Sequence, residues 1–163
     1  MQIELHPSSQ RGKNKIDWLD TKFSFSFANY FNPERMGFGA LRVINDDTIA
    51  GGGGFDTHSH DNMEIITIVM SGQLKHQDSM GNSGLIGKDE IQVMSAGSGI
   101  MHSEYNASAN EPVKLFQIWI ETKEQNIEPR YEQKNFAAKI KANEIITLVS
   151  GKVQADTLYI HQD

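Results

Sequence analysis

Cysteine is absent from the 163-residue sequence. This excludes a disulfide framework, a thiolate nucleophile and any zinc or iron–sulfur site built on sulfur. A metal bound here must use imidazole, carboxylate and water. Cationic clusters are also missing. The 15 Lys and Arg stand against 21 Asp and Glu, for a net charge of −6, and no stretch gathers the cations. Nucleic acid and anionic membrane surfaces are therefore not expected partners. No apolar run approaches the roughly 18 residues that a spanning helix needs. Residues 1–17, MQIELHPSSQRGKNKID, carry no apolar signal core. The expectation is a cytoplasmic chain that does not cross a membrane.

Helix-period segments are scarce, and strand signals fill their place. Hydrophobic residues make up 38% and charged residues 22%, which is globular and not disordered composition. The length suits one domain with a proper core plus a fragment of another. KFSFSFANYF places Phe23, Phe25 and Phe27 on one face and Ser24 and Ser26 on the other, a half-buried strand. GALRVIND alternates Leu41 and Val43 against Arg42 and predicts a turn at Asp46-Asp47. EIITIVMSG is a continuous apolar run, as in a strand buried on both sides. QLKHQDSMGNSGLI reads as a hairpin turning at Gly81-Asn82-Ser83-Gly84. EIQVMSAGSGIMHSEYN gives strand, Gly-rich turn and strand, and PVKLFQIWIET gives one more.

Short strands with Gly turns predict an all-β sandwich or barrel. The predicted organisation is a first domain over 1–125, a polar linker or crossing arm over 126–136 with Pro129, and new strand-like material over 137–163. That last stretch offers Ile145–Val149, a turn at Gly151 and Thr157–Ile160. About 27 residues cannot close a core of their own. They must pack on the first domain, pair with another chain or fray.

The chemistry concentrates in GFDTHSHDNMEIITIVMSG, residues 54–72. His58 and His60 are one residue apart. On a strand, such residues face the same side, about 7 Å apart along the chain. His102 and Glu104 in GIMHSEYN repeat the spacing. Two antiparallel strands of a small barrel could then offer three imidazoles and one carboxylate to one ion, leaving two positions of an octahedral ion open. Glu64 shares the parity of His58 and His60 but lies about 13 Å beyond His60 on a straight strand. It reads as a pocket or supporting group, with Glu104 as the ligand. His76 reads as a hydrogen-bonded or exposed hairpin histidine. His6 and His161, near the termini, read as unrelated to the site. The methionines 63, 70, 80, 94 and 101 read as core or pocket lining. Gln117 and Trp119 share a strand face, with packing the expected role.

The stretches GFDTHSHDNMEIITIVMSG, HQDSMGN, GIMHSEYN and PRYEQKNF, in this order, resemble the signature stretches of the pirin family. The likeness is to its bacterial quercetin dioxygenases and runs from DWLDTKFSFSFANYF to LYIHQD. It implies a cupin, a jelly-roll β-barrel or sandwich, binding one metal through His58, His60, His102 and Glu104. The metal it implies is iron, expected as Fe(II), although the donor set equally suits Mn, Co, Ni, Cu or Zn. It also implies a small aromatic, flavonol-like substrate such as quercetin, opened with O2 and releasing CO. Glu104 is then the candidate catalytic base. Another implied role is a non-catalytic, redox-sensing metal regulator. Family members continue through a complete second cupin, so this chain is expected to carry a truncated one. A remnant that binds metal without turnover is a third expectation. Ile145, Ile146, Leu148 and Val149 would be uncovered and could drive a homodimer.

Overall fold

The computed structural model describes residues 3–163. Its strands are β1 (Gly12–Ile16), β2 (Leu19–Phe23), β3 (Leu41–Ile49), β4 (Gly54–His60), β5 (Met63–Ser71), β6 (Gln73–Asp78) and β7 (Ser83–Gly87), followed by β8 (Glu90–Ser95), β9 (Ile100–Asn106), β10 (Val113–Glu121), β11 (Arg130–Asn135), β12 (Val149–Ser150) and β13 (Leu158–Tyr159). Among the described residues there is no α-helix, and hence no helix long and apolar enough to cross a membrane. A seven-stranded antiparallel sheet runs β1-β2-β3-β10-β5-β8-β11, and a four-stranded one runs β4-β9-β6-β7. This is the all-β cupin architecture, two sheets facing one another across a core.

The period of two sorts each strand between faces. On β5, Ile65, Thr67 and Val69 alternate with Glu64, Ile66 and Ile68, and all but Ile68 are buried. On β8, Gln92 and Met94 alternate with Ile91, Val93 and Ser95, again all buried. Two-sided burial explains why EIITIVMSG shows no alternation. Inside the barrel, one apolar layer joins Leu19, Ile49, Val69, Leu74, Ile86, Val113 and Leu115. A second joins Ile65, Met94, Ala96 and Ile100, with Met63 and Trp119 packed on it. Buried polar residues lie between them in strand order: Asn45 and Asp47, Thr67, His76, Gln92, His102 and Glu104, and Gln117. The barrel is therefore apolar, polar and apolar along its length.

Several local expectations are corrected. KFSFSFANYF is a strand only as far as Phe23. Beyond it Ala28 takes a φ of 48°, a tight reversal that pairs Phe27 with Tyr30 and packs both rings on Phe23. Asp46-Asp47 is not a turn. The strand runs on to Ile49 because Asp47 points into the polar layer. The β6–β7 hairpin turns at 79–82, two residues early. There the Asp78 carboxylate accepts from the backbone N–H groups of Met80 and Asn82, and Gly81 takes a φ of 90°.

Residues 126–136 are not free of the sheet, since β11 pairs with β8 as its edge strand. The segment after it lies on the outer face of the large sheet. Phe136, Leu158 and Ile160 cluster there with Ile66, Ile91 and Val93, and Leu148 and Val149 pack alongside. Of the strand expected over Ile145–Val149, only Val149 is retained, in the parallel β12–β13 pair. Ile145 is fully exposed.

This packing has a measurable consequence. Phe136→Ala should destabilise the protein by about 3–5 kcal/mol, the usual cost of removing a buried aromatic ring. Ile145→Ala should change stability by less than about 0.5 kcal/mol. Urea unfolding of both variants checks this, and equal effects would refute the docking of the segment.

Candidate metal centre

The site is built on the small sheet, where β9 has β4 on one side and β6 on the other. His58 lies directly opposite His102 in the β4–β9 ladder. A register shift between Phe55 and His58 lets both of these residues face the barrel. Across the other ladder, His76 lies opposite Glu104. The inward residues of β9 are Ile100, His102, Glu104 and Asn106, all buried. The strand reaches this position from a turn held by Gly97. Its φ of 50° and the Ile127 backbone against it leave no room for a side chain.

His58, His60 and His102 bring their ring nitrogens within 4.8 Å of one another. Their ring centroids are 4.4–4.9 Å apart. A second group with the same spacing joins His76, His102 and Glu104. His102 belongs to both. Of the four residues that spacing singled out, His58, His60 and His102 fall in one group, and Glu104 joins His102 only in the group that holds His76. His76 is fully buried, and its Nε2–H donates to Asp78 Oδ2 at 3.3 Å. Its Nδ1 has no partner. This is more than a hairpin histidine, and its even spacing from Leu74 on an inward face was the available signal.

The unpartnered atoms fit a metal. Both nitrogens of His102 and Nε2 of His60 are buried without a hydrogen bond. His58 Nδ1 is 2.7 Å from the Asp56 carbonyl, which can only accept, so Nδ1 carries the proton. Its Nε2 lone pair is then free to ligate, held by the kind of outer contact that metal-bound histidines use. Burial depresses the His60 pKa to about 4 and that of His102 to about 2, with the neighbouring imidazoles adding to each shift. Both rings are neutral at ordinary pH, as ligation requires. Burial acts the other way on Glu104 and lifts it to about 7; the Gln117 amide opposes the rise and Asp47 adds to it.

Residues outside the expected set position Glu104. Gln117 Nε2–H donates to its Oε2, and Trp119 Nε1–H donates to Gln117 Oε1 at 3.1 Å. Thr67 Oγ1 lies 3.5 Å from Oε1. Gln117 and Trp119 therefore do more than pack, and their shared parity on β10 was the trace of it in the sequence. Beside His58 and Glu104 is a cavity of about 250 Å³ lined also by Phe27, Asn45, Asp47, Phe55, Gln117 and Trp119.

Glu64 is corrected. It faces the opposite side of β5 and accepts from Ser95 Oγ at 2.7 Å, with His161 Nδ1 lying 3.4 Å from its other oxygen. It is neither pocket nor support for the metal. His161, read as unrelated to the metal site, lies over this buried carboxylate.

Comparisons with known proteins identify the family. The Pirin family profile matches residues 4–120. The chain is 49% identical over 161 residues to the quercetin 2,3-dioxygenase of Escherichia coli (strain K12), covering 99% of this chain and 68% of that protein. It is 45% identical over 162 residues to the pirin-like protein of Caulobacter vibrioides, covering 99% and 69%. The crystal structure of bacterial pirin YhhW from E. coli in complex with nickel(II) superposes with a TM-score of 0.87 at 48% identity, over 96% of this chain and 66% of that one. The chain thus spans about two thirds of the length of these relatives. A cupin domain of Schizosaccharomyces pombe Cnp3, with a TM-score of 0.51 at 12% identity, shares the fold alone. By profile, by identity and by fold, the chain belongs to the pirin family.

Proposed function

We propose that this protein is a cytoplasmic, metal-dependent dioxygenase that opens the ring of a flavonol such as quercetin with O2 and releases CO. The observation that carries the reading is the cavity against the metal centre. It shares His58 and Glu104 with the centre and is walled by Phe27, Phe55 and Trp119. A planar aromatic substrate fits such walls. The relative's name, quercetin 2,3-dioxygenase, supports the substrate class. We take His58, His60, His102 and Glu104 as the ligands and Fe(II) as the ion. The nickel held by the similar E. coli pirin shows that a family site accepts another divalent metal. When bound, the ion stabilises the negative charge of the deprotonated substrate.

Glu104 is assigned as catalytic base. Its Oε2 is held by Gln117, while Oε1 has only the long contact to Thr67. Oε1 is the atom free to take the proton of the flavonol 3-hydroxyl. In the metal-free protein burial holds this carboxyl up near 7; once the ion has displaced its proton, the carboxylate is in the basic form that can accept one. The His60 and Trp119 rings meet edge to face beside the site, with centroids 4.8 Å apart.

The first test is turnover. Quercetin consumption with CO release should occur in the Fe(II)-loaded protein and be absent in the apo protein and in His102→Ala. Glu64→Gln should load metal as the wild type does. A loaded, folded wild type without turnover would sink the proposed activity. The second test follows the proton. At pH 6, below the Glu104 value and above those of His60 and His102, Glu104 is protonated and the two rings are neutral. Metal binding must expel the Glu104 proton, so the wild type should release about one more proton per ion than Glu104→Gln. The difference should vanish by pH 8. Calorimetric titration in buffers of different ionisation enthalpy reads this, and equal release at pH 6 would refute the assignment.

A further inference from the structure

Two polar side chains of the cavity neither join the candidate metal ligands nor hydrogen-bond to Glu104. Asn45 and Asp47 sit on β3, two residues apart, on the inward face of a strand whose neighbouring inward positions are Val43 and Ile49. Both are more than nine-tenths buried, at 5% and 3% exposure, and both line the cavity. In the β3–β10 ladder Asn45 lies opposite Gln117, the residue that holds Glu104.

Each offers an acceptor to the cavity, Asn45 through Oδ1 and Asp47 through its carboxylate, beside which the Thr21 hydroxyl is a donor. Asn45 Oδ1 is buried without a hydrogen-bond partner. Asp47, when ionised, offers only acceptors. A buried acceptor with no donor is unfavourable unless a ligand supplies one. Apolar residues at 45 and 47 would continue the Val43 and Ile49 pattern. The cavity instead keeps two acceptors among Phe27, Phe55 and Trp119.

We propose that Asn45 and Asp47 are specificity-determining residues that accept hydrogen bonds from hydroxyl groups of a polyhydroxylated aromatic substrate, groups other than the hydroxyl that reacts. The inference rests on the dioxygenase reading and narrows its substrate class. Aromatic walls bind any flavonol ring system, while the two acceptors select those whose hydroxyls reach β3. A site that hydrogen-bonds a substrate hydroxyl rejects the analogue lacking it, because its own polar groups then stay unpaired.

The test compares quercetin with 3-hydroxyflavone, which keeps the reacting hydroxyl and lacks the others. Wild type, Asn45→Leu and Asp47→Leu are loaded with Fe(II), and metal content and melting temperature are recorded for each. Steady-state kinetics give kcat/KM for both flavonols. Quenching of tryptophan fluorescence under anaerobic conditions gives Kd without turnover, with Trp119 in the cavity wall as reporter. The wild type should prefer quercetin by about tenfold or more. Each variant should lose most of that preference, chiefly through a raised KM and Kd for quercetin. A wild-type ratio near one overturns the proposal without any variant. Equal losses for both flavonols in the variants overturn it too, because they mark a structural role. A wild type that neither binds nor turns over either flavonol removes the dioxygenase reading itself, and this inference with it.

Discussion

Everything in this molecule is arranged around a layer of polar side chains closed inside a β-barrel. Three imidazoles, a glutamate and their partners lie between two apolar layers, and several ring nitrogens there have no hydrogen bond. Buried acceptors and donors without partners oppose folding. The arrangement becomes coherent when the free nitrogens are metal donors. The apolar layers on either side exclude water and fix the strands that carry them.

The ladder geometry does the positioning. Because β9 is an inner strand of the small sheet, its two ligand-type residues have cross-strand neighbours on both sides, His58 on β4 and His76 on β6. Directly opposed residues stand about 5 Å apart, close enough to share an ion. The bulge before His58 adds Phe55 to the same face, so one irregularity supplies both a ligand and a wall of the cavity. Burial then pulls the titrations apart, with His60 and His102 pushed down and Glu104 pushed up. The same low-polarity surroundings keep the rings in the neutral form that ligation requires and raise the affinity of the carboxyl for its proton.

The large sheet has a second task on its other face. Glu64 and Ser95 form a buried hydrogen bond beneath the C-terminal segment, with His161 lying over it, beside the cluster of Phe136, Leu158 and Ile160. The central strands β5 and β8 therefore carry polar residues on both faces, one set toward the cavity and one toward the docked segment. That doubling is why Glu64, which lies in the same motif as the histidines, has no part in the metal centre.

The strand content and the approach of His58 and His60 to His102 were legible in the sequence, while Glu104 meets His102 in the group that His76 completes. The side-chain period of a strand is local, and a two-residue spacing fixes which residues share a face wherever the strand is placed. What the sequence could not show was which faces meet. Glu64 has the parity of a ligand and lies on the wrong side of the sheet. His76 looks like a hairpin residue and stands at the centre, while Asp47 looks like a turn and lines the cavity. Local pattern determined strands, faces and the donor pairs. The tertiary structure alone decided the neighbours, because cross-strand register and the packing of one sheet on the other join residues that lie tens of positions apart along the chain.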